Sequence, residues 1–284
     1  MAKPDQTLPG IPVEEPGEQP GRLLLWLSSG LALAAYALVL LAVLTPLRSP
    51  AVEGGLEAVL LVAATLATLA SLCRELPVQN VLLAAFVIGL MGTSAHALGA
   101  ATGMPFGPFT YTVKVGPCYR GVVAWPMPLI WITLVLNSRG VGRFIMRPWR
   151  KLRSYGFWLL GLTVALVVLF DLGLEPFAAQ VRGYWIWQST RLPFAWQGVP
   201  VTNFLGWTVV TTLILAFVTP ALIKRRPPAQ KAPPDFHPLV AWELGVALFA
   251  ASAFAQRFWL VGASGVLTIL AVLLLALKGG KDRV

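Results

Sequence analysis

Residues 23–47 and 258–277 are apolar all round any helix they could form, and each is long enough to cross a bilayer. A hydrocarbon core about 30 Å thick takes about 20 apolar residues per helix. Six further runs of the same kind, at 55–72, 78–98, 121–136, 155–170, 201–223 and 238–255, leave roughly 160 residues for lipid. A transmembrane barrel would instead alternate apolar and polar residues. The chain is 57% hydrophobic and 12% charged, against about 25% charged in an ordinary soluble domain. The expected fold is therefore all-α: a polytopic transmembrane helix bundle of about eight spans, occupying 22–278 between a polar, disordered tail at 1–21 and a short tail at 279–284. No internal repeat is visible, so the inverted-repeat pattern of many transporters is missing.

The formal charge of +10 would suggest nucleic acid in a soluble chain. In a membrane chain it reports orientation, because cytoplasmic connections retain Lys and Arg. Six basic residues lie between 137 and 154, and four between 224 and 237. With both segments cytoplasmic, eight spans put both termini inside and divide the 22 basic residues into 16 inside and six outside. The expectation is a multi-pass protein of the cell membrane, its basic runs facing anionic lipid heads rather than nucleic acid. Two histidines, His96 and His237, cannot build a histidine-rich di-iron centre. Cys73 and Cys118 offer no metal pair and fall on opposite sides of the membrane, which disfavours a disulfide.

Three segments on the non-cytoplasmic side are too irregular for tethers: Thr102-Gly-Met-Pro-Phe-Gly-Pro-Phe-Thr-Tyr-Thr112, Asp171-Leu-Gly-Leu-Glu-Pro176 with Tyr184-Trp-Ile-Trp187, and Gly198-Val-Pro-Val-Thr-Asn-Phe-Leu-Gly-Trp207. Asp171 and Glu175 share one helix face if the fifth helix continues through them. Ionisable residues at membrane depth are functional candidates, and a wet interfacial anchor is the competing reading. His96 is either a general acid, a donor to a carboxylate, or a core imidazole, the last being favoured by the residues alone. Asn203 positions a water or caps the sixth helix, with capping favoured by its residue type. Trp185 and Trp187 form an interfacial belt or line a site for a polyene or carbocation. Arg120 and Arg182 serve lipid phosphates or pair with acids. Glu53 and Glu57 suit a helix N-terminus, and Glu243 is a buried acid without an obvious partner.

Together the three segments resemble the membrane-integral carotenoid hydratase family of the CruF type, which includes γ-carotene 1',2'-hydratase and bisanhydrobacterioruberin hydratase. The likeness runs from about residue 78 to 217. It implies carotenoid biosynthesis by a hydro-lyase that adds water to the terminal C1–C2 double bond of an acyclic carotenoid end group, giving a tertiary alcohol without a cofactor or metal. The family pattern carries Glu at the position of His96 and Asp at that of Glu175, so this chain departs at both. Protonating the alkene gives a tertiary cation that water captures, which needs a carboxyl kept protonated by desolvation. Asp171 is placed for that. Asn203 with His96 or Glu175 would hold the water, and Tyr111, Trp185, Trp187 and Trp207 would contact the substrate. The expected partners are an acyclic carotenoid, membrane lipids and other enzymes of carotenoid biosynthesis.

Two rival readings remain at this point. Asp171-x-x-x-Glu175 resembles half of a diphosphate-and-Mg²⁺ site of a prenyl-diphosphate enzyme, but a hard-cation site needs more carboxylates. A non-enzymatic lipid or carotenoid transporter or binding protein is the other.

Overall fold

A computed structural model describes residues 20–45, 50–190, 192–223 and 235–281. Most of the polar tail and most of the basic connection 224–237 lie outside these. Among the described residues eight α-helices form one bundle: α1 (Pro20–Leu44), α2 (Pro50–Cys73), α3 (Val78–Thr102), α4 (Met127–Ile145), α5 (Tyr155–Pro176), α6 (Val201–Val218), α7 (His237–Ala255) and α8 (Trp259–Lys281). Seven are long and apolar enough to cross a membrane, as an all-α polytopic bundle requires. The exception is α4. It begins and ends later than the 121–136 run expected of it and carries Arg139 and Arg143 in its last two turns. Those two were expected in a connection. Arg139 is buried and gives its Nη2–H to the Leu222 carbonyl at 3.0 Å, while Arg143 bonds Glu75 at 3.1 Å. The C-terminal tail expected from 279 is still helical at Lys281.

The helix that reads least like a membrane span is the one most enclosed by protein, since α4 packs against α2, α3, α5, α7 and α8. Its arginines find acceptors there rather than lipid. The outward faces of the other helices are apolar, with Phe86, Phe157, Phe217, Leu267 and Leu274 exposed, as a lipid-facing surface demands.

One end of the bundle is built from the connections 103–126 and 183–200, and proline and glycine set its geometry. α3 stops at Gly103, whose positive φ of 79° lets its N–H return to the Gly99 carbonyl. α5 runs on past residue 170 through Asp171 and Glu175 to Pro176. There the missing proline N–H breaks the ladder, and a π-helical turn, Phe177–Arg182, carries the chain to Gly183. Strand β1 (Phe109–Tyr111) follows α3. A small ribbon, β2 (Cys118–Tyr119) with β3 (Val123–Ala124), precedes α4. Strand β4 (Trp185–Trp187) and the pair β5 (Ala195–Trp196) and β6 (Val199–Pro200) lead into α6. β1 and β4 pair antiparallel with Phe109 opposite Trp187 and Tyr111 opposite Trp185. Strand alternation then sends these four aromatic rings to the bundle and leaves Thr110 and Ile186 exposed. The pairing staples the α3–α4 connection to the α5–α6 connection over the ends of three helices. Cys73 and Cys118 are both free thiols.

Candidate active site

The two carboxyls lie one helical turn apart on α5, facing the bundle rather than the interface. Asp171 is 0% and Glu175 1% exposed, which sets aside the interfacial-anchor reading. Across from them α6 starts at Val201 behind Pro200, so Asn203 is inside the helix and does not cap it. Its side chain is instead fully buried, and its Nδ2–H donates to Asp171 Oδ2 at 2.9 Å. Proline at the helix start supplied the stop that asparagine was expected to supply. Asp171 Oδ1 and Asn203 Oδ1 have no hydrogen-bond partner among the described residues.

Glu175 accepts from two indoles at one oxygen, Trp185 Nε1–H at 3.0 Å and Trp187 Nε1–H at 3.1 Å. These two tryptophans are therefore not a lipid belt. Their alternate positions on β4 bring both N–H groups to one carboxylate oxygen, an arrangement set by the β1–β4 register. Trp207 and Asn203, one turn apart on α6, also stand close enough to act on Glu175, although the Trp207 Nε1–H forms no well-aligned bond. Tyr111 packs edge-on to Trp185 with centroids 6.2 Å apart. Its buried hydroxyl has no hydrogen-bond partner among the described residues, and burial, then the nearby Cys118 and Glu175, push its ionisation well above the ordinary phenol value. Tyr111 is thus a neutral donor beside the acid pair.

His96 completes the group from α3. It is 6% exposed, sits among Phe106, Phe109 and Trp207, and accepts from Trp131 Nε1–H at 3.0 Å through Nδ1. Trp131 in turn stacks on Trp207 with centroids 4.0 Å apart. All eight residues singled out in the sequence, His96, Tyr111, Asp171, Glu175, Trp185, Trp187, Asn203 and Trp207, belong to one connected cluster. Sequence reasoning missed Trp131. Its signal was on α3: Gly92 and Gly99 flank His96 on one helix face, and a Cβ at Gly92 would lie 2.2 Å from the Trp131 ring. A gap of that size is left for a large side chain. Glu57 was read as a helix-terminal charge. It binds Arg182 and the Tyr184 hydroxyl across the site end of the bundle, and the Glu53 side chain lies outside the described residues. Glu243 has no partner for either oxygen among the described residues.

A cavity of about 660 Å³ lies beside this cluster, bounded by α1, α2, α4, α5 and α7. It does not reach Asp171, Asn203 or His96. Trp185 is the partition, since its ring lines the cavity while its N–H holds Glu175. Among the described residues, no group of three or more His, Cys, Asp and Glu side chains comes together. Among the described residues the acid pair has no third carboxylate beside it of the kind a diphosphate–metal site uses.

The family described as carotenoid biosynthesis protein matches residues 56–274, most of the chain and every residue of the cluster. The chain belongs to that family. It is also 34% identical over 125 residues to bisanhydrobacterioruberin hydratase of Haloarcula japonica, an alignment covering 44% of this chain and 40% of that relative. The match thus spans less than half of either protein. No solved structure matches the chain.

Proposed function

We propose that this member of the family is a carotenoid hydratase that adds water across the terminal C1–C2 double bond of an acyclic end group, without a cofactor. The carrying observation is the buried Asp171–Glu175 pair. One carboxyl has an oxygen free of any hydrogen bond among the described residues, and the other is bound by two indole N–H donors. Asp171 Oδ1 is the proton donor. Its O–H bond breaks, the alkene π pair forms a C–H bond at C2, and C1 becomes a tertiary cation. The faces of Trp185, Trp187, Trp207 and Tyr111 stabilise that charge. A water held by Asn203 Oδ1 and Glu175 attacks C1, and its proton passes to the carboxylates, restoring Asp171 for the next turnover. An apolar-walled cavity next to the cluster suits part of a long polyene, and the distribution of basic residues supports a cell-membrane location with both termini cytoplasmic and the site at the opposite face.

Expression in a lycopene-accumulating host, with product masses read by mass spectrometry, tests the reading. Wild type should add one water. Asp171→Asn preserves shape and the Asn203 contact but cannot deliver a proton, so turnover should fall about 10²–10⁴-fold at equal expression. Near-normal turnover of that variant would remove Asp171 as donor. The cavity also suits a carotenoid-binding or transport protein, and polyene bound and moved between vesicles with unchanged mass would favour that reading.

A further inference from the structure

Trp131 stands near the start of α4, fully buried, and its indole is held in place by a stack and by a gap. It lies on Trp207 with 4.0 Å between centroids and 23° between planes. Against α3 it occupies the space left at Gly92, where a Cβ would come within 2.2 Å of the ring. Gly92 is one turn before His96 on the same helix, so the glycine that admits the indole also brings its N–H to the imidazole. Nε1–H donates to His96 Nδ1 at 3.0 Å. An indole nitrogen is a donor and never an acceptor. Nδ1 is therefore the bare nitrogen, and the single hydrogen of the neutral ring lies on Nε2.

An imidazolium carries a hydrogen on both nitrogens, and the one on Nδ1 would point at the indole N–H. Because the stack and the gap keep the indole from turning away, protonating His96 breaks the Trp131 bond and leaves two buried donors facing each other. The rings packed on the imidazole bring no charge to offset that: Phe106 and Phe109 come from the connection after α3, Trp131 from α4 and Trp207 from α6. The carboxyls of the cluster, Asp171 and Glu175, stand on α5, where Asn203 binds the first and Trp185 and Trp187 bind the second.

We infer that Trp131 is a positioning residue of the reacting cluster, fixing His96 as the neutral tautomer with its hydrogen on Nε2. Its part in the reaction rests on the hydratase reading above: His96 offers a hydrogen-bond donor of fixed direction and gives no proton to the alkene, so the acid of the first step is a carboxyl. Of the roles open to this histidine in the sequence, general acid is thereby removed.

Nuclear magnetic resonance of the imidazole nitrogens reads the hydrogen directly. The full chain in lipid nanodiscs, grown with isotopically labelled histidine, carries two imidazoles, and a His237→Gln sample assigns them. Wild-type His96 should show Nε2 protonated and Nδ1 bare at every pH at which the protein stays folded. Trp131→Phe keeps a ring on Trp207 and in the gap but removes the donor. In that variant His96 should become a mixture of the two tautomers. Turnover of the acyclic polyene, read by mass spectrometry at equal expression, should fall roughly three- to tenfold, the range one neutral hydrogen bond supplies. Hydrogen on Nδ1 in wild type, or an imidazolium, would overturn the inference whether or not the variant folds. So would a variant that loses turnover with its tautomer unchanged, since Trp131 would then act through the Trp207 stack alone, or one that frees the tautomer at normal turnover. The expected tautomer in a wild type that adds no water would instead overturn the hydratase reading and leave the fixed tautomer standing.

Discussion

His96 is held by what surrounds it more than by its own chemistry. Three aromatic rings and the Trp131 N–H enclose it, so its replacement is felt first by Trp131. His96→Leu fills the space but leaves a buried indole N–H without an acceptor, at a cost of about 1–3 kcal/mol. His96→Gln supplies an acceptor at similar reach and should recover most of that loss. Thermal unfolding in detergent checks the pair of variants; equal melting temperatures would show that the Trp131 bond carries no stability. The turnover of both variants separates this structural duty from a chemical one. If His96→Gln restores the melting temperature but not hydration, the imidazole itself contributes to the water or the proton.

Close approach between helices is the governing feature one level up. At Gly92 an added Cβ would meet the Trp131 ring at 2.2 Å, and at Gly206 it would meet Phe106 at 2.6 Å and the Pro105 carbonyl at 3.0 Å. Gly92→Ala must therefore push Trp131 out of its stack on Trp207, and it should lower stability by about 1–3 kcal/mol, the usual cost of overpacking. Gly161 on α5 has nothing within 4 Å of such a Cβ. Gly161→Ala should accordingly be neutral or stabilising, by up to about 1 kcal/mol from helix propensity. Melting curves of the two variants should move in opposite directions, and a shared shift would show that the α3–α4 contact is slack. The same contrast explains the break at Pro176. Ending the α-helix one residue after Glu175 turns the chain back toward β4, which returns two tryptophans to the carboxyl that the helix has just placed.

For the molecule as a whole, the two native thiols report how it sits in the bilayer. Cys73 ends α2 at the face carrying Asp235 and the start of α7, through Ser71 and Thr68, whereas Cys118 lies in β2 at the face of the site. With the proposed orientation, a membrane-impermeant maleimide should label Cys118 in intact cells and Cys73 only after permeabilisation. Serine substitution of each in turn assigns the signal. Labelling of both from one side would discard the topology.

The apolar runs by themselves determined that the chain spans a membrane as helices, because hydrocarbon admits only helices and closed barrels, and a barrel would alternate apolar and polar residues. The residue types at 96, 111, 171, 175, 185, 187, 203 and 207 were legible for the same reason, since polar and aromatic groups at membrane depth stand out against leucine. Three things were settled only by tertiary contacts. α4 was misjudged in extent because its arginines look like a loop until Leu222 and Glu75 supply acceptors from distant segments. Asn203 was read as a cap because nothing local to it reveals a carboxyl 32 residues earlier in the chain. Trp131 was invisible because an empty space beside glycine exists only where several helices meet. Hydropathy is a property of each segment against lipid and is written along the chain, whereas a site in a dry bundle is a property of segments against one another, fixed by crossing geometry that no single segment contains.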